Sequence, residues 1–344
     1  MSPAAILARQ RDGERLTASA TADGHAQAHH LPIVPVRADG MTVYGADGRA
    51  YLDCVAGAGT LLLGHNHPTV IEAVRRVLDS GTPLHAPHQA TAISDEFSET
   101  LLNILPPDLA KDARIHICGP AATHHAHSLP AAPGALIADE TLTGLGRTGE
   151  LWAVNHTAIT PDVMILPKAI GGGLPLTAIA YRAGLDQAID GAHPDCGHGH
   201  YQLAMAAGTA TMKYVVEHDL ATHARKVGER MRAAFEEGAR DLPVLADVRG
   251  RGLLIDLDLV DPDRAPDFFA PAPALARAVR TVALQRGLLI ELVGRSGTTV
   301  RLLPPLTIAD QEADRVVELL LDAIAAIVTM TPIARLTPIR SFLR

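Results

Sequence analysis

Three short runs, ALIAD (135–139), DVMIL (162–166) and TAIAY (177–181), are apolar almost throughout, and each is bounded by glycine or proline. A strand with one wet face alternates apolar and polar side chains; a continuous apolar run of this length predicts a strand covered on both faces. Such strands need helices above and below, so the pattern points to an α/β fold with a mostly parallel sheet. At 344 residues the chain has room for two domains or one large α/β unit. Apolar residues make up 47% of it, yet no run approaches the roughly 18 apolar residues of a membrane span. A net charge of −8 leaves no basic excess with which to neutralise phosphates, which argues against nucleic acid as a partner. Cys54, Cys118 and Cys196 lie far apart and are odd in number, and MSPAAILARQRDGERL lacks an apolar signal core. A reduced, cytoplasmic setting is the expectation.

Along the chain, residues 1–40 read as an arm without periodicity. In MTVYGADGRAYLD two β-rich runs flank Gly45-Ala46-Asp47-Gly48, which predicts a hairpin. Pro68 suits a first helical position, and Val70, Ile71, Val74, Val77 and Leu78 recur at helical spacing up to about Ser80. A second helix is expected from Ser94, burying Phe97, Leu101 and Ile104, and ARIHICG (113–119) reads as a strand. The stretch 120–134, PAATHHAHSLPAAPG, holds three prolines and is neither helix nor strand throughout. It is expected to be an exposed loop joining two neighbouring parallel strands, ARIHICG and ALIAD. Leu203 to about Asp241 reads as broken helix. In the C-terminal third, strands (GLLIDLDLV, GLLIELV, TVRLL) alternate with two helices, the first ended by Gly287 and the second capped by Thr307. The expected division is an arm (1–40), a large domain (41–215) with its junction loop at 120–134, and a smaller α+β domain (216–344).

The chain has only four lysines, Lys111, Lys168, Lys213 and Lys226. Lys168 alone sits in apolar surroundings, between VMILP and AIGGGLPL. An ammonium buried without a partner loses its proton easily and becomes a nucleophile suited to Schiff-base chemistry. A lysine reaching solvent from a strand end is the plainer alternative. Asp139 closes the strand ALIAD; at the carboxyl edge of a parallel sheet, where ligands bind, its carboxylate could hold a pyridinium nitrogen. It could equally be a strand-end or cap charge.

ALIADETLTGLGRTGELWAVNHTAITPDVMILPKAIGGGLPL resembles the signature of class III, fold-type I pyridoxal-phosphate aminotransferases. YGADGRAYLDCVAGAGTLLLGHNHPTVIEAV resembles that family's N-terminal region, and VRGRGLLIDLDLV with GLLIELVGRSGTTVRLLPPL its small domain. The subgroup most similar in pattern is the diaminobutyrate-2-oxoglutarate aminotransferases. The resemblance implies a fold-type I architecture, pyridoxal 5'-phosphate as cofactor, and a small-molecule amino donor and a 2-oxo acid as partners. It also implies a homodimer whose interface uses AGAGTLLLGHNHP (56–68) and the GHGHYQ loop. By the same resemblance Lys168 holds the cofactor covalently, Asp139 meets the pyridine nitrogen, Thr123 belongs to the phosphate-binding segment, and Arg301 grips a substrate carboxylate, for which a planar guanidinium fork is suited.

The pattern is interrupted. After ICGPAAT, where Ala122 replaces the family's glycine and His124 its acidic residue, the chain passes directly to ALIAD, so a segment on the order of a hundred residues, a small domain's worth, is missing and the sheet is truncated. The alternative reading is a degenerate member of the fold without transaminase activity, serving as a partner subunit or with a reused cleft. His124, His125 and His127 together with Cys196, His198 and His200 could bind metal only if their two loops met; no metal site is assigned. Gly144-Leu-Gly146-Arg-Thr-Gly149 fits GxGxxG in spacing, but residue 169 is alanine where a dinucleotide site needs an acid.

Overall fold

The computed structural model describes residues 33–86, 89–118, 134–185, 201–261 and 271–330. Strands β1 (Pro35–Asp39), β2 (Thr42–Gly45) and β3 (Ala50–Asp53) form an antiparallel meander with the expected turn at Gly45–Gly48. Part of the segment read as an arm is therefore β1, because its backbone is paired to β2. Helix α1 (Pro68–Asp79) starts at its proline as the spacing predicts, and α2 (Ala92–Ile104) begins two residues before Ser94, since Thr91 and Ser94 cap each other reciprocally. A single turn, α3 (Pro107–Ala110), leads into β4 (Ala113–Cys118).

The central sheet comprises β4, β5 (Ile137–Asp139), β6 (Val163–Ile165) and β7 (Thr177–Arg182), in the order β4-β7-β6-β5. β5 and β6 are parallel, whereas β7 runs antiparallel to both of its neighbours, β6 and β4. Three of the four strands thus point one way. β4 and β5 are parallel to each other, as expected, but they are not neighbours: they occupy the two ends of the sheet with β7 and β6 between them. The loop that joins them falls in residues 119–133, outside the described residues.

Burial grades across this sheet. β6 is wholly buried and β7 nearly so, as their apolar runs require. β5 is not: Ile137 and Ala138 are half-buried and Asp139 is exposed. The run ALIAD has the composition of an interior strand but lies at a sheet edge, with no described strand beyond it.

Helix α4 (Gln202–Glu217) packs against α1 and α2 and leads into α5 (Leu220–Ala239). A second sheet, ordered β11-β12-β9-β8, unites β8 (Leu245–Arg251), β9 (Leu254–Leu259), β11 (Glu291–Val293) and β12 (Thr299–Leu302). Helices α5 and α6 (Pro273–Gln285) pack against it, and α7 (Asp310–Met330) packs against both helices. Gly287, with φ +86°, follows the end of α6 in the left-handed conformation expected there. Thr307 does not cap α7: its hydroxyl donates to Leu63 O at 3.2 Å, and the Glu312 carboxylate accepts from Ala309 N–H instead.

The short strand β10 (Leu288–Leu289) leaves the C-terminal third and pairs in parallel with β3, Leu288 opposite Leu52 and Leu289 opposite Asp53. Residues 50–53, assigned from sequence to the large domain, thus share a sheet with residues 288–289. Among the described residues no helix is long and apolar enough to cross a membrane.

Candidate active site

The carboxyl ends of β5 and β6 lie side by side, with Asp139 opposite Ile165 in register. Beyond Ile165 the chain runs through Leu166 and Pro167 into a 3-10 turn, Lys168–Gly171, closed by Gly172 in the left-handed conformation. Ala169, Ile170 and Gly171 are buried and anchor this turn, while Lys168, its first residue, is exposed. The apolar flanks that suggest a buried ammonium belong to the anchor rather than to the lysine. No described group hydrogen-bonds or pairs with its amine. The turn rests on α4 at Gly208, where a Cβ would stand 1.7 Å from Ile170 O, so only glycine allows this approach.

At the end of β5 the two adjacent carboxylates divide the work. Asp139 is exposed and accepts from Thr141 N–H at 2.9 Å. Glu140 is buried and holds the following loop, accepting from Val154 N–H at 2.9 Å and from the Thr143 hydroxyl. Facing both strand ends is the segment Gly57–Leu61. A Cβ on Gly59 would come within 3.0 Å of Leu142, and one on Gly173 within 2.6 Å of Leu61. That segment is in turn fixed by buried Asp53, whose carboxylate accepts from Val55 N–H at 2.8 Å and Ala56 N–H at 3.0 Å and meets His65 Nε2 at 2.8 Å.

Arg301 lies on β12, half-buried, with its fork closed on Asp256: Nε to Oδ1 is 2.8 Å and Nη2 to Oδ2 is 2.7 Å. This bidentate bond raises the guanidinium pKa above its ordinary value. Asp256 was not found by sequence reasoning, although its signal is present: Asp256 and Asp258 alternate in LIDLDL, which puts both on the polar face of β9, opposite Arg301 and Thr299. Arg147 also escaped notice. Fully buried, it donates Nη1 to Leu253 O at 3.2 Å and to Pro304 O, joining the loop after β5 to the ends of both β8-β9 and β12. Desolvation lowers its pKa to about 10.

Thr123 and the histidine and cysteine clusters at 124–127 and 196–200 lie outside the described residues. Among the described residues no three His, Cys, Asp or Glu side chains form a group that could hold a metal ion. A groove of about 510 Å³ lies between α1, α2 and α4. It lies along α4, the helix whose Gly208 supports the Lys168 turn, and Lys168 and Asp139 are not among its walls.

The fold is that of the fold-type I aminotransferases, as solved structures show. N-acetylornithine aminotransferase from Stenotrophomonas maltophilia superposes with a TM-score of 0.71 at 22% identity, covering 88% of this chain and 98% of that one. Ornithine aminotransferase from Plasmodium yoelii gives 0.76 at 19% identity, covering 95% and 100%. Residues 24–132 and 128–324 match the family Aminotransferase class-III, and the chain belongs to it. Diaminobutyrate–2-oxoglutarate aminotransferase of Rhizobium meliloti is 32% identical over 83% of this chain and 86% of its own length; the Haemophilus influenzae protein of the same name is 28% identical over 84% and 89%.

The chain is accordingly a pyridoxal-phosphate-dependent enzyme that transfers an amino group between an amino donor and a 2-oxo acid. The match to the Rhizobium protein extends over 407 residues, more than the 344 present here, and the two family segments meet at 128–132. What the relatives carry between β4 and β5, about a hundred residues and so a small domain's worth, is absent from this chain. The groups present are of the kind the cofactor takes: an exposed carboxylate ending β5 and an exposed primary amine opening the turn beyond β6, its parallel neighbour.

Proposed function

We propose that this enzyme moves an amino group from a diamino acid such as 2,4-diaminobutyrate to 2-oxoglutarate, or the reverse. The site assignment is supported by Asp139 ending β5 and Lys168 opening the turn beyond β6, its parallel neighbour. The names of the relatives support the substrate pair. Bound pyridoxal phosphate supplies an electron sink for the bond being broken at the amine-bearing carbon. Lys168 would hold the cofactor through Nζ and, once displaced by the incoming amine, carry the proton between substrate and cofactor carbons. The Asp139 carboxylate would accept a hydrogen bond from the ring nitrogen and keep it protonated, and Thr123 would contact the phosphate.

Spectroscopy tests the assignment. Protein given pyridoxal phosphate should show a visible band that borohydride fixes onto Lys168; a protein that stays colourless overturns the reading. Asp139→Asn should retain the band yet lose about two orders of magnitude or more in rate, because an uncharged amide no longer holds the ring nitrogen protonated.

Arg301 would bind the carboxylate of the 2-oxo acid, for which its fork must leave Asp256. Arg301→Lys is expected to raise KM for 2-oxoglutarate about tenfold with kcat nearly unchanged, since the bidentate grip is lost in ground and transition states alike. Asp256→Asn should act in the opposite direction and lower KM. Equal KM values in all three proteins would remove Arg301 from the substrate site.

We also take the enzyme to be a cytoplasmic homodimer. The segment 56–68, partly exposed and held by Asp53, would form the interface beside the two strand ends.

A further inference from the structure

Four consecutive residues of the segment after β3 have positive φ: Ala56 (45°), Gly57 (63°), Ala58 (56°) and Gly59 (82°). Glycine takes this conformation freely. In an L-alanine it drives Cβ toward the following carbonyl oxygen, so two alanines in such a run stay there only where the surroundings hold them. The holding groups stand at the two ends of the segment. At its start, buried Asp53 accepts from Val55 N–H and Ala56 N–H through Oδ1. At its end, His65 exchanges both backbone hydrogen bonds with Gly40, at 2.8 and 3.0 Å. Asp53 Oδ2 and His65 Nε2, 2.8 Å apart, then tie the two ends together.

The segment so held touches every part of the chain that carries a candidate site residue. Gly59 packs close to Leu142, in the loop after Asp139, and Leu61 packs on Gly173, beyond the Lys168 turn. Cys54 O and Leu62 O accept from Leu303 N–H and Leu306 N–H, both at 2.7 Å, and Leu63 O accepts from the Thr307 hydroxyl. Those three donors follow Arg301 out of β12. None of these contacts is made by the Asp53 or His65 side chain, so the pair acts on the site through the turn alone.

We infer that Asp53 and His65 are positioning residues for the transamination: the bond between them holds a left-handed turn as a wedge that spaces the segments bearing Asp139, Lys168 and Arg301. The inference rests on the assignment of those three residues to the site. With the bond broken, the alanines relax to negative φ, the turn opens, and the wedge between Leu142 and Gly173 is lost.

His65→Leu, made in the full chain and loaded with pyridoxal phosphate, tests it. The expected result is a fall of about ten- to a hundredfold in kcat per folded molecule, the scale set by small misplacements of reacting groups. The visible band of the bound cofactor should be displaced as well. His65→Gln, whose amide still donates to Asp53, should keep most of the rate. Ala58→Gly in the His65→Leu chain should restore about two- to fivefold, because glycine removes the backbone strain that the lost bond was opposing. Ala58 is exposed, so removing its methyl group costs little packing. A purely structural role would lower Tm while leaving kcat per folded molecule and the band unchanged. That outcome overturns the proposal, as does a His65→Leu chain that Ala58→Gly does not improve. Should His65→Leu fail to fold, Asp53→Ser gives the same decision, since its hydroxyl accepts from the two N–H groups but is too short to reach His65. The site assignment fails separately, on full activity in Lys168→Ala.

Discussion

Lys168→Ala is expected to abolish transamination, with a loss of at least about four orders of magnitude in kcat. Two functions depend on the same amine: covalent attachment of the cofactor, and proton transfer between substrate and cofactor carbons, the latter alone worth about 10²–10⁴. The substitution should leave the fold intact. Lys168 is exposed, and the turn it begins is held by buried Ala169, Ile170 and Gly171 rather than by the lysine. The measurement is turnover with an amino donor and 2-oxoglutarate alongside a thermal melt. Full activity in the alanine variant would mean that another group performs the chemistry, while a large fall in Tm would mean that Lys168 is structural.

The second large effect concerns the support beneath that turn. Gly208→Ala places a methyl group where Ile170 O already stands, 1.7 Å away, with Phe97 also at 3.0 Å. Alanine gains about 1 kcal/mol over glycine in a helix interior, but a contact with rigid backbone at that distance forces α4 and the Lys168 turn apart. Overpacking of this kind costs about 1–3 kcal/mol and occasionally more. The expected outcome is a net loss of stability, read as a fall in Tm of about 2–4 °C per kcal/mol, with reduced kcat in the folded fraction because the turn bearing Lys168 is displaced. An unchanged Tm and rate would show that the helix and turn accommodate the methyl group without cost.

The strands of the central sheet were legible to different degrees, for a physical reason. DVMIL and TAIAY read as buried strands, and Val163–Ile165 and residues 177–181 are buried, because each strand lies between two others of its sheet. ALIAD carries the same signal and comes out half-exposed, since composition records the environment a strand is suited to and cannot report that no described strand lies beyond it. Position was harder to read than type. Pro68 marks the start of α1, and the sequence alternation marks the sheet of the C-terminal third, but the placing of β4 and β5 at opposite ends of their sheet is a long-range pairing with no local signature.

The site follows the same division. The strand-end placing of Asp139 and Lys168 is readable because apolar runs stop just before them. The solvent exposure of Lys168 is not, because a 3-10 turn reverses which side of the chain faces the interior. The bond between Arg301 and Asp256 joins residues 45 apart in sequence, and only the register of β12 on β9 brings them together.

The parallel pairing of β3 with β10 bears on how the chain is made as well as how it is built. Leu52 and Asp53 leave the ribosome early, yet the strand that completes their sheet, Leu288–Leu289, emerges only after most of the chain has been synthesised. At about 5–20 residues per second, the interval is on the order of tens of seconds. Throughout that time β3 has an open edge, and Cys54 O and Leu62 O, which will accept from Leu303 N–H and Leu306 N–H, have no partner from the far end of the chain. Vectorial synthesis therefore cannot finish the N-terminal meander first and add the remainder to it; its completion waits on Leu288 and Leu289, and a nascent chain stalled before residue 288 would present that edge to whatever else is in reach.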